Sequence, residues 1–230
     1  MARSLAILPG GSSPKAQASK PMYDMLLEEA KQLGWTAKIH SFVGDGHYPD
    51  MASGLELITN VVAIRSSLKG YPAGSTLFCR CYGCYVGAYV LAFYQKFVES
   101  FDRVVFWAPM PYWFMWKSSY ADRGSLAEFN NYAETAGYRM NDNFFISIQP
   151  MERLVTNFPE KDYVFSCGTE DPCCNPADIR YLQSVMQRTT GKSAEVHVVS
   201  GAEHAVGPKS VKQIRNEYLY FIFKKRNPVK

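Results

Sequence analysis

Three reactive side chains stand in short loops that follow apolar, strand-like segments: Cys81, Asp171 and His204. The cysteine lies between a buried strand and a helix, with Cys79 two residues before it and Gly83 two residues after it. A nucleophile elbow is a tight strand-to-helix turn that presents a reactive side chain, and it requires small residues at these two positions. For the next cysteine along the chain the same positions hold tyrosine and valine. The spacing therefore favours Cys81 as a nucleophile.

A cysteine at this position has a physical reason to be reactive. The N-terminus of a helix carries partial positive charge, which favours the thiolate over the thiol. A nearby histidine would add to this effect. The alternative is that Cys81 is a small buried apolar residue, as many free cysteines are.

An acid and a histidine follow two later strands. Asp171 is the predicted acid in the loop 168–172, and its neighbour Glu170 could take its place, unless both are solvated loop acids. His204, in the glycine-bordered loop 200–207, is the predicted base. Ligands bind beyond the carboxyl ends of parallel strands, so these loops should share one edge of the sheet. The order nucleophile, acid, histidine along the chain is the one that elbow-bearing hydrolases require. In such a site the acid fixes the tautomer of the histidine and stabilises its protonated form.

The other three histidines fit a base less well. His40 and His197 fall inside strand patterns, where a histidine with satisfied hydrogen bonds is expected. His47 follows the second strand and is a candidate substrate contact.

The loop after the first strand is rich in glycine and serine and suits an oxyanion hole. Such a hole needs backbone N–H groups aimed at the developing negative charge, and glycine lets the chain approach a ligand closely. We expect the backbones of Gly11 and Tyr82 to supply these donors, with Ser12 as an alternative donor or a substrate contact. An ordinary strand-to-helix turn is the competing interpretation of this loop.

Strand-like and helix-like segments alternate along most of the chain. Alternation of this kind predicts a mainly parallel sheet of about six strands, covered by helices on both faces. The predicted strands are Leu5–Leu8, Ala37–Val43, Thr76–Cys79, Val104–Trp107, Tyr163–Ser166 and Glu195–Val199. The helix-like segments between them end at glycines in three cases, and the helix after Asn175 has an N-cap followed by proline.

The alternation breaks between residues 110 and 157, which are rich in aromatic residues and have no clean period. We interpret this segment as a cap insertion within one domain that covers residues 1–230. Tyr112, Trp113 and Trp116 are its candidate substrate-binding residues, because a cap that excludes water would form an apolar pocket for a hydrophobic acyl group. Packing of the cap onto the core, or the contact surface of a homodimer, would use the same apolar residues.

The chain resembles the α/β-hydrolase superfamily over nearly its whole length. The resemblance is carried by the segments 79–83, 168–172 and 201–204, which are similar to the elbow, acid loop and histidine loop of that superfamily. The resemblance implies an α/β-hydrolase fold and, with a cysteine nucleophile, either ester or lactone hydrolysis, as in dienelactone hydrolases, or acyl transfer, as in polyester synthases. The chain departs from the usual pattern at Cys79, which replaces the first glycine, at Cys84, where a second glycine often follows, and at Pro9, where a histidine often stands.

Composition excludes several other classes of protein. The chain has 230 residues with a net charge of +4, and no recognised nucleic-acid motif accompanies the mild basic excess, so no nucleic-acid partner is predicted. No apolar run reaches the roughly 18 residues that span a bilayer, and the N-terminal apolar run is too short for a signal peptide, so we expect a cytoplasmic protein with reduced cysteines. The closely spaced cysteines lack the paired spacing of a zinc site, and the dinucleotide fingerprint is missing, so neither metal nor cofactor is predicted.

Together these features favour a hydrolase that acts on an ester, thioester or lactone of a small, hydrophobic molecule. Cys81 would form an acyl-enzyme with His204 and Asp171 in support. One alternative is an acyltransferase that uses the same cysteine. The other is a related fold that binds or isomerises a ligand without hydrolysis.

Overall fold

A computed structural model describes residues 3–10, 20–42, 54–109, 149–171, 174–204 and 208–224. Within these ranges helices and strands alternate, as the sequence predicts. The strands are β1 (Ser4–Leu8), β2 (Thr36–Ile39), β3 (Ser75–Arg80), β4 (Phe101–Trp107), β5 (Asp162–Gly168) and β6 (Ala194–Val199). The helices are α1 (Lys20–Gln32), α2 (Gly54–Ser67), α3 (Tyr82–Phe93), α4 (Met151–Leu154), α5 (Pro176–Thr190) and α6 (Pro208–Phe223), with short 3₁₀ turns at Gln95–Phe97 and Val155–Asn157.

The six strands form one sheet in the order β2-β1-β3-β4-β5-β6, and every neighbouring pair is parallel. The strands β1 and β3 are buried along their whole length, which agrees with their largely apolar sequences. The chain passes from β1 outward to β2 and then back across β1 to β3. Because the crossovers are right-handed, the helix between β1 and β2 lies on the opposite face of the sheet from the helices of the later crossovers. Accordingly α1 contacts α6, whereas α2 contacts α3 on the other face. The predicted α/β sheet with helices on both faces is confirmed.

Two elements have different lengths from those predicted. The strand β2 ends at Ile39 rather than continuing to residue 43, because it is an edge strand whose single partner, β1, ends at Leu8. The sequence pattern favours a helix from Cys84 to about residue 99, whereas α3 begins at Tyr82 and ends at Phe93, because Tyr94 leaves the helical region with φ −131°.

The helix α5 begins and ends where its local sequence predicts. The side chain of Asn175 accepts hydrogen bonds from the N–H groups of Ala177 and Asp178, and the Asp178 carboxylate accepts one from the Asn175 N–H. This is a complete capping box. The helix ends at Gly191 in the left-handed conformation, with φ 69°, which glycine adopts without steric cost. Both predicted ends are confirmed.

The described residues that begin at residue 149 pack against the core. The N–H of Gln149 donates a 2.6 Å hydrogen bond to the Tyr89 hydroxyl on α3, and Met151, Leu154 and Val155 are buried. Residues 110–148 of the predicted cap lie outside the described residues, so the cap and the single-domain division stay predictions. No helix within the described ranges is long and apolar enough to cross a membrane.

Candidate active site

Cys81 forms the turn between β3 and α3 in a conformation that few residues adopt. Its φ is 50° and its ψ is −118°, outside the regions favoured by residues with a Cβ atom. Such backbone strain costs about 1–3 kcal/mol and is characteristic of functional sites. Backbone hydrogen bonds hold the turn in this conformation. The Cys81 N–H donates to the Trp107 carbonyl at the end of β4 at 3.0 Å, and the Cys81 carbonyl accepts from the Cys84 N–H at 2.9 Å. The strained turn has the form of a nucleophile elbow.

Close packing behind the turn explains the small residues of this motif. A Cβ atom at Gly83 would overlap the carbonyl oxygens of Leu8 and Pro9, at the end of β1. Because backbone atoms cannot move aside as a flexible side chain can, only glycine fits at this position. The requirement for a small residue two positions after the cysteine therefore has a direct steric cause.

The acid and the histidine meet at the carboxyl edge of the sheet. Both oxygens of Asp171 lie 3.0 Å from Nδ1 of His204, and the Asp171 side chain is fully buried while that of His204 is 17% exposed. The N–H of Cys174 donates a 3.0 Å hydrogen bond to Oδ1 of Asp171, which fixes the carboxylate. A carboxylate in this position orients the imidazole ring and stabilises its protonated form.

The two loops approach closely because of Gly168, the last residue of β5. A Cβ atom there would overlap the Ala202 carbonyl group. The N–H of Glu170 also donates a 3.0 Å hydrogen bond to that carbonyl oxygen, and the Gly201 N–H donates to Oγ1 of Thr169 at 2.8 Å. These contacts bind the acid loop to the histidine loop.

The imidazole of His204 also makes a hydrogen bond with the side chain of Cys81. Burial acts to lower the pKa of His204, but the negative charge of the Cys81 sulfur and the hydrogen bonds to Asp171 and Cys81 together raise it to about 9. At neutral pH the ring is therefore protonated in this environment. A protonated imidazole that is hydrogen-bonded to a cysteine is an arrangement that favours the thiolate form of that cysteine.

The neighbouring cysteines, Cys79 and Cys84, are buried thiols. Burial raises the pKa of Cys79 and of Cys84 well above the ordinary value, so both stay protonated at neutral pH. The sulfur of Cys84 lies 3.2 Å from the Cys79 carbonyl oxygen and 3.4 Å from that of Trp107, and it donates to them as a thiol. Within the described ranges no three histidine, cysteine or acidic side chains are grouped as metal ligands would be.

Two residues at this site were missed by the sequence reasoning. Arg80 is 3% exposed, and its Nη2 donates a 2.6 Å hydrogen bond to the His204 carbonyl oxygen. The hydroxyl of Tyr23, on α1, accepts a 3.0 Å hydrogen bond from the Gly10 N–H and also bonds with Arg80. The signal for Arg80 was a charged residue at the end of an otherwise apolar strand, directly before the nucleophile. No pattern in the sequence indicates Tyr23.

The remaining predicted site residues divide into two groups. Tyr82 is the first residue of α3, and its side chain has a structural role: its hydroxyl accepts from Nδ2 of Asn60 at 3.1 Å, and its ring packs edge-on against Phe42. Glu170 is exposed and is not the partner of the imidazole. The others lie outside the described residues: Gly11, Ser12, His47, Tyr112, Trp113 and Trp116.

Two other histidines behave as the strand patterns predict. Nδ1 of His40 lies 2.8 Å from the Ser67 hydroxyl, and its Nε2 lies 2.8 Å from the Tyr71 hydroxyl, so both ring nitrogens are satisfied. His197 lies on β6, where its ring packs against the Phe221 ring at an interplanar angle of 34°, with centroids 4.0 Å apart. Neither lies in the loops that carry the Cys81, Asp171 and His204 contacts.

Comparison with solved structures places this architecture among known folds. The bromoperoxidase of Bacillus anthracis matches with a TM-score of 0.61 and 13% identity, covering 98% of this chain and 93% of that chain. An alpha-beta serine hydrolase homologue from Coxiella burnetii matches with a TM-score of 0.56 and 15% identity, covering 94% and 83%. The esterase Pf2001 of Pyrococcus furiosus matches with a TM-score of 0.57 and 15% identity, covering 94% and 79%. The chain therefore has the α/β-hydrolase fold.

Similarity at this level of identity is structural. No family model matches the chain, and no curated protein matches it by sequence.

Proposed function

We propose that this protein is a hydrolase with Cys81 as its nucleophile, acting on an ester, thioester or lactone. One observation carries the proposal: a cysteine in a strained elbow is hydrogen-bonded to a histidine that is itself held by a buried aspartate. The structural neighbours support the general class, since an esterase and a serine hydrolase homologue are among them.

The first half of the reaction forms an acyl-enzyme. The Cys81 thiolate attacks the carbonyl carbon, a carbon–sulfur bond forms, and the carbonyl π electrons move to the oxygen. The backbone N–H groups of Tyr82 and Gly11 are the proposed donors to this oxyanion. As the tetrahedral intermediate collapses, the His204 imidazolium gives its proton to the departing alkoxide or thiolate, and Asp171 holds the ring in place.

The second half releases the acid. Neutral His204 takes a proton from water, and the resulting hydroxide attacks the thioester carbonyl. The carbon–sulfur bond breaks, the acid leaves, and the proton on His204 again pairs with the Cys81 thiolate. The imidazolium and thiolate of the resting enzyme are thereby restored.

The proposed preference for a hydrophobic acyl group rests on the aromatic residues of the predicted cap. Tyr112, Trp113 and Trp116 are the proposed lining of an apolar pocket, which would favour a hydrophobic acyl chain. A small hydrophobic substrate, a cytosolic location and a homodimer remain proposals from the sequence, as does the lack of a nucleic-acid or membrane partner.

The test is acyl trapping with p-nitrophenyl esters of short and long acyl chains. We expect release of nitrophenol and, after rapid acid quenching, a mass increase of one acyl group on the peptide that contains Cys81. Cys81→Ala should lose both signals. Cys84→Ala is the matched control, because its thiol is protonated and buried and should not react.

The fate of the acyl group separates hydrolysis from its alternatives. Free acid as the product, with or without added amines and alcohols, supports the proposed hydrolase. Transfer of most of the acyl group to an added amine would replace it with an acyltransferase. Absence of any adduct on Cys81, with nitrophenol release unchanged in Cys81→Ala, would contradict the proposal and favour a fold used for binding or isomerisation.

A further inference from the structure

Two arginines are equally buried in neighbouring strands, but their surroundings differ. Arg103 on β4 forms ion pairs with Asp162 and Glu195. Arg80, at the end of β3, has the same 3% exposure and takes part in none of the ion pairs among the described residues. Burying a charge without an opposite charge is unfavourable. A positive charge kept in this position therefore calls for a functional explanation.

The guanidinium of Arg80 lies directly behind the elbow. A Cβ atom at Gly10 would overlap its Nη1 and would lie 3.3 Å from the Cβ of Cys81, so one glycine separates the cation from the cysteine. Its Nη2 holds the carbonyl oxygen of His204 at 2.6 Å. Its Nε, in contrast, has no hydrogen-bond partner within the part of the chain that the structure describes.

Most groups around this cation cannot neutralise it. Burial raises the pKa of Tyr23 and of Tyr218, although Arg80 acts in the opposite direction on both, so these phenols are neutral at neutral pH. Burial likewise raises the pKa of Cys84 and keeps it a thiol. Among the described residues that interact electrostatically with Arg80, Cys81 is the remaining one whose side chain can become an anion.

We propose that Arg80 is a positioning residue for the reaction proposed above. Its buried positive charge stabilises the Cys81 thiolate, and its hydrogen bond holds the His204 backbone beside that thiolate. The inference rests on the proposed function, because a thiolate is required only if Cys81 is the nucleophile. Arg80 acts through Cys81 and His204 rather than on the substrate.

The thiolate is then stabilised from two sides. His204 carries the proton that leaves the sulfur, and Arg80 supplies a charge that does not titrate in the working range. Among the described residues, Tyr23 on α1 and Cys84 on α3 also interact electrostatically with Cys81, and both are neutral. Asp171 holds the imidazole that is hydrogen-bonded to the sulfur.

The experiment measures how fast iodoacetamide alkylates Cys81 from about pH 5 to about pH 10, because only the thiolate reacts. The Cys81 peptide is quantified by mass spectrometry in the full chain. Arg80→Met removes the charge with an apolar side chain of similar length, and we expect the midpoint of the profile to rise by about one pH unit or more. The alkylation rate at pH values below the wild-type midpoint should fall about tenfold, because the thiolate fraction there falls tenfold for each unit of pKa.

Two further variants separate charge from structure. Arg80→Lys keeps the charge and should restore most of the low midpoint. Arg103→Lys alters an equally buried arginine at the other end of the sheet and should leave the midpoint unchanged. Urea unfolding is recorded for each variant, and Arg80→Gln replaces the methionine variant if that variant does not fold.

The outcomes distinguish this inference from the proposed function. A folded Arg80→Met or Arg80→Gln protein with the wild-type midpoint would overturn the inference, even if its unfolding midpoint had changed and even if the wild type hydrolyses esters. A raised midpoint in a wild-type protein that forms no acyl adduct would support the inference about the thiolate while overturning the proposed hydrolysis.

Discussion

Replacing Gly168 by alanine should separate the acid loop from the histidine loop. The added Cβ would overlap the carbonyl oxygen of Ala202 and lie 2.9 Å from the Ala202 Cβ, whereas ordinary contacts begin at 3.4 Å. The carbonyl oxygen belongs to the backbone of the histidine loop, so the two loops must move apart by about 1 Å or more, and a displacement of that size can cost about 100-fold in rate. Asp171 follows the substituted residue by three positions, and His204 follows Ala202 by two.

The expected result is loss of both activity and stability. Overpacking of this kind costs about 1–3 kcal/mol, which lowers the melting temperature by several degrees for a domain of this size, at about 2–4 °C per kcal/mol. Ester hydrolysis and Cys81 alkylation should both fall about 100-fold, because the imidazole no longer meets both partners at hydrogen-bond distance. The assays are nitrophenyl ester hydrolysis, iodoacetamide alkylation and calorimetry.

Gly191→Ala is the matched control. This glycine has φ 69° and no atom within 4 Å of the added Cβ, at the end of α5. The strain of a left-handed alanine costs about 1–2 kcal/mol, so this variant should melt at a lower temperature and keep its activity. A Gly168→Ala protein with the hydrolysis rate of the control would refute the claim that this close approach positions the catalytic groups.

Three further predictions concern the acid, a helix cap and a buried histidine. Asp171→Asn should reduce ester hydrolysis by roughly 1,000-fold or more, because the amide cannot stabilise the charged imidazole; a loss under tenfold would contradict this. Asn175→Ala removes the capping box of α5 and should lower the free energy of unfolding by about 1 kcal/mol with unchanged hydrolysis, measured by urea unfolding; an unchanged unfolding midpoint would be inconsistent. Burial, with the charge of Lys38, lowers the pKa of His40 to about 4 from 6.5. The unfolded state therefore binds this proton first, and stability falls as pH drops from about 6.5 to about 4. Urea midpoints across this range should fall less steeply in His40→Gln, and equal slopes would argue against the assignment.

The sequence was sufficient for features that depend on local spacing or on sheet topology. The small residues around Cys81 indicated the elbow, since the clash at Gly83 is with the neighbouring strand end that every such turn approaches. The meeting of the Asp171 and His204 loops followed from the rule that parallel strands present their carboxyl ends at one edge. The capping box at Asn175 involves residues within three positions of each other. Their catalytic roles stay predictions until the reaction is measured.

Features that depend on distant partners could not be predicted in this way. The length of β2 is limited by where β1 ends, which no pattern within β2 records. The burial of Arg80 depends on Tyr23, which lies 57 positions earlier, and on the His204 carbonyl, which lies 124 positions later. The spacing of residues along the chain also could not predict whether His204 carries a proton in the resting protein. The sequence suggested that His204 takes the proton from Cys81 during the reaction, whereas the environment of the imidazole favours a proton already on nitrogen.

The most direct test of the coupling between sulfur and imidazole is an NMR titration of His204 in protein labelled with ¹³C-histidine. In the wild type we expect an apparent pKa of about 9. In Cys81→Ala the sulfur is gone while burial remains, so the pKa of the same ring should fall by about one pH unit or more. An ordinary histidine pKa near 6.5 in both proteins would contradict the account, because it would mean that the two side chains do not form a charged pair.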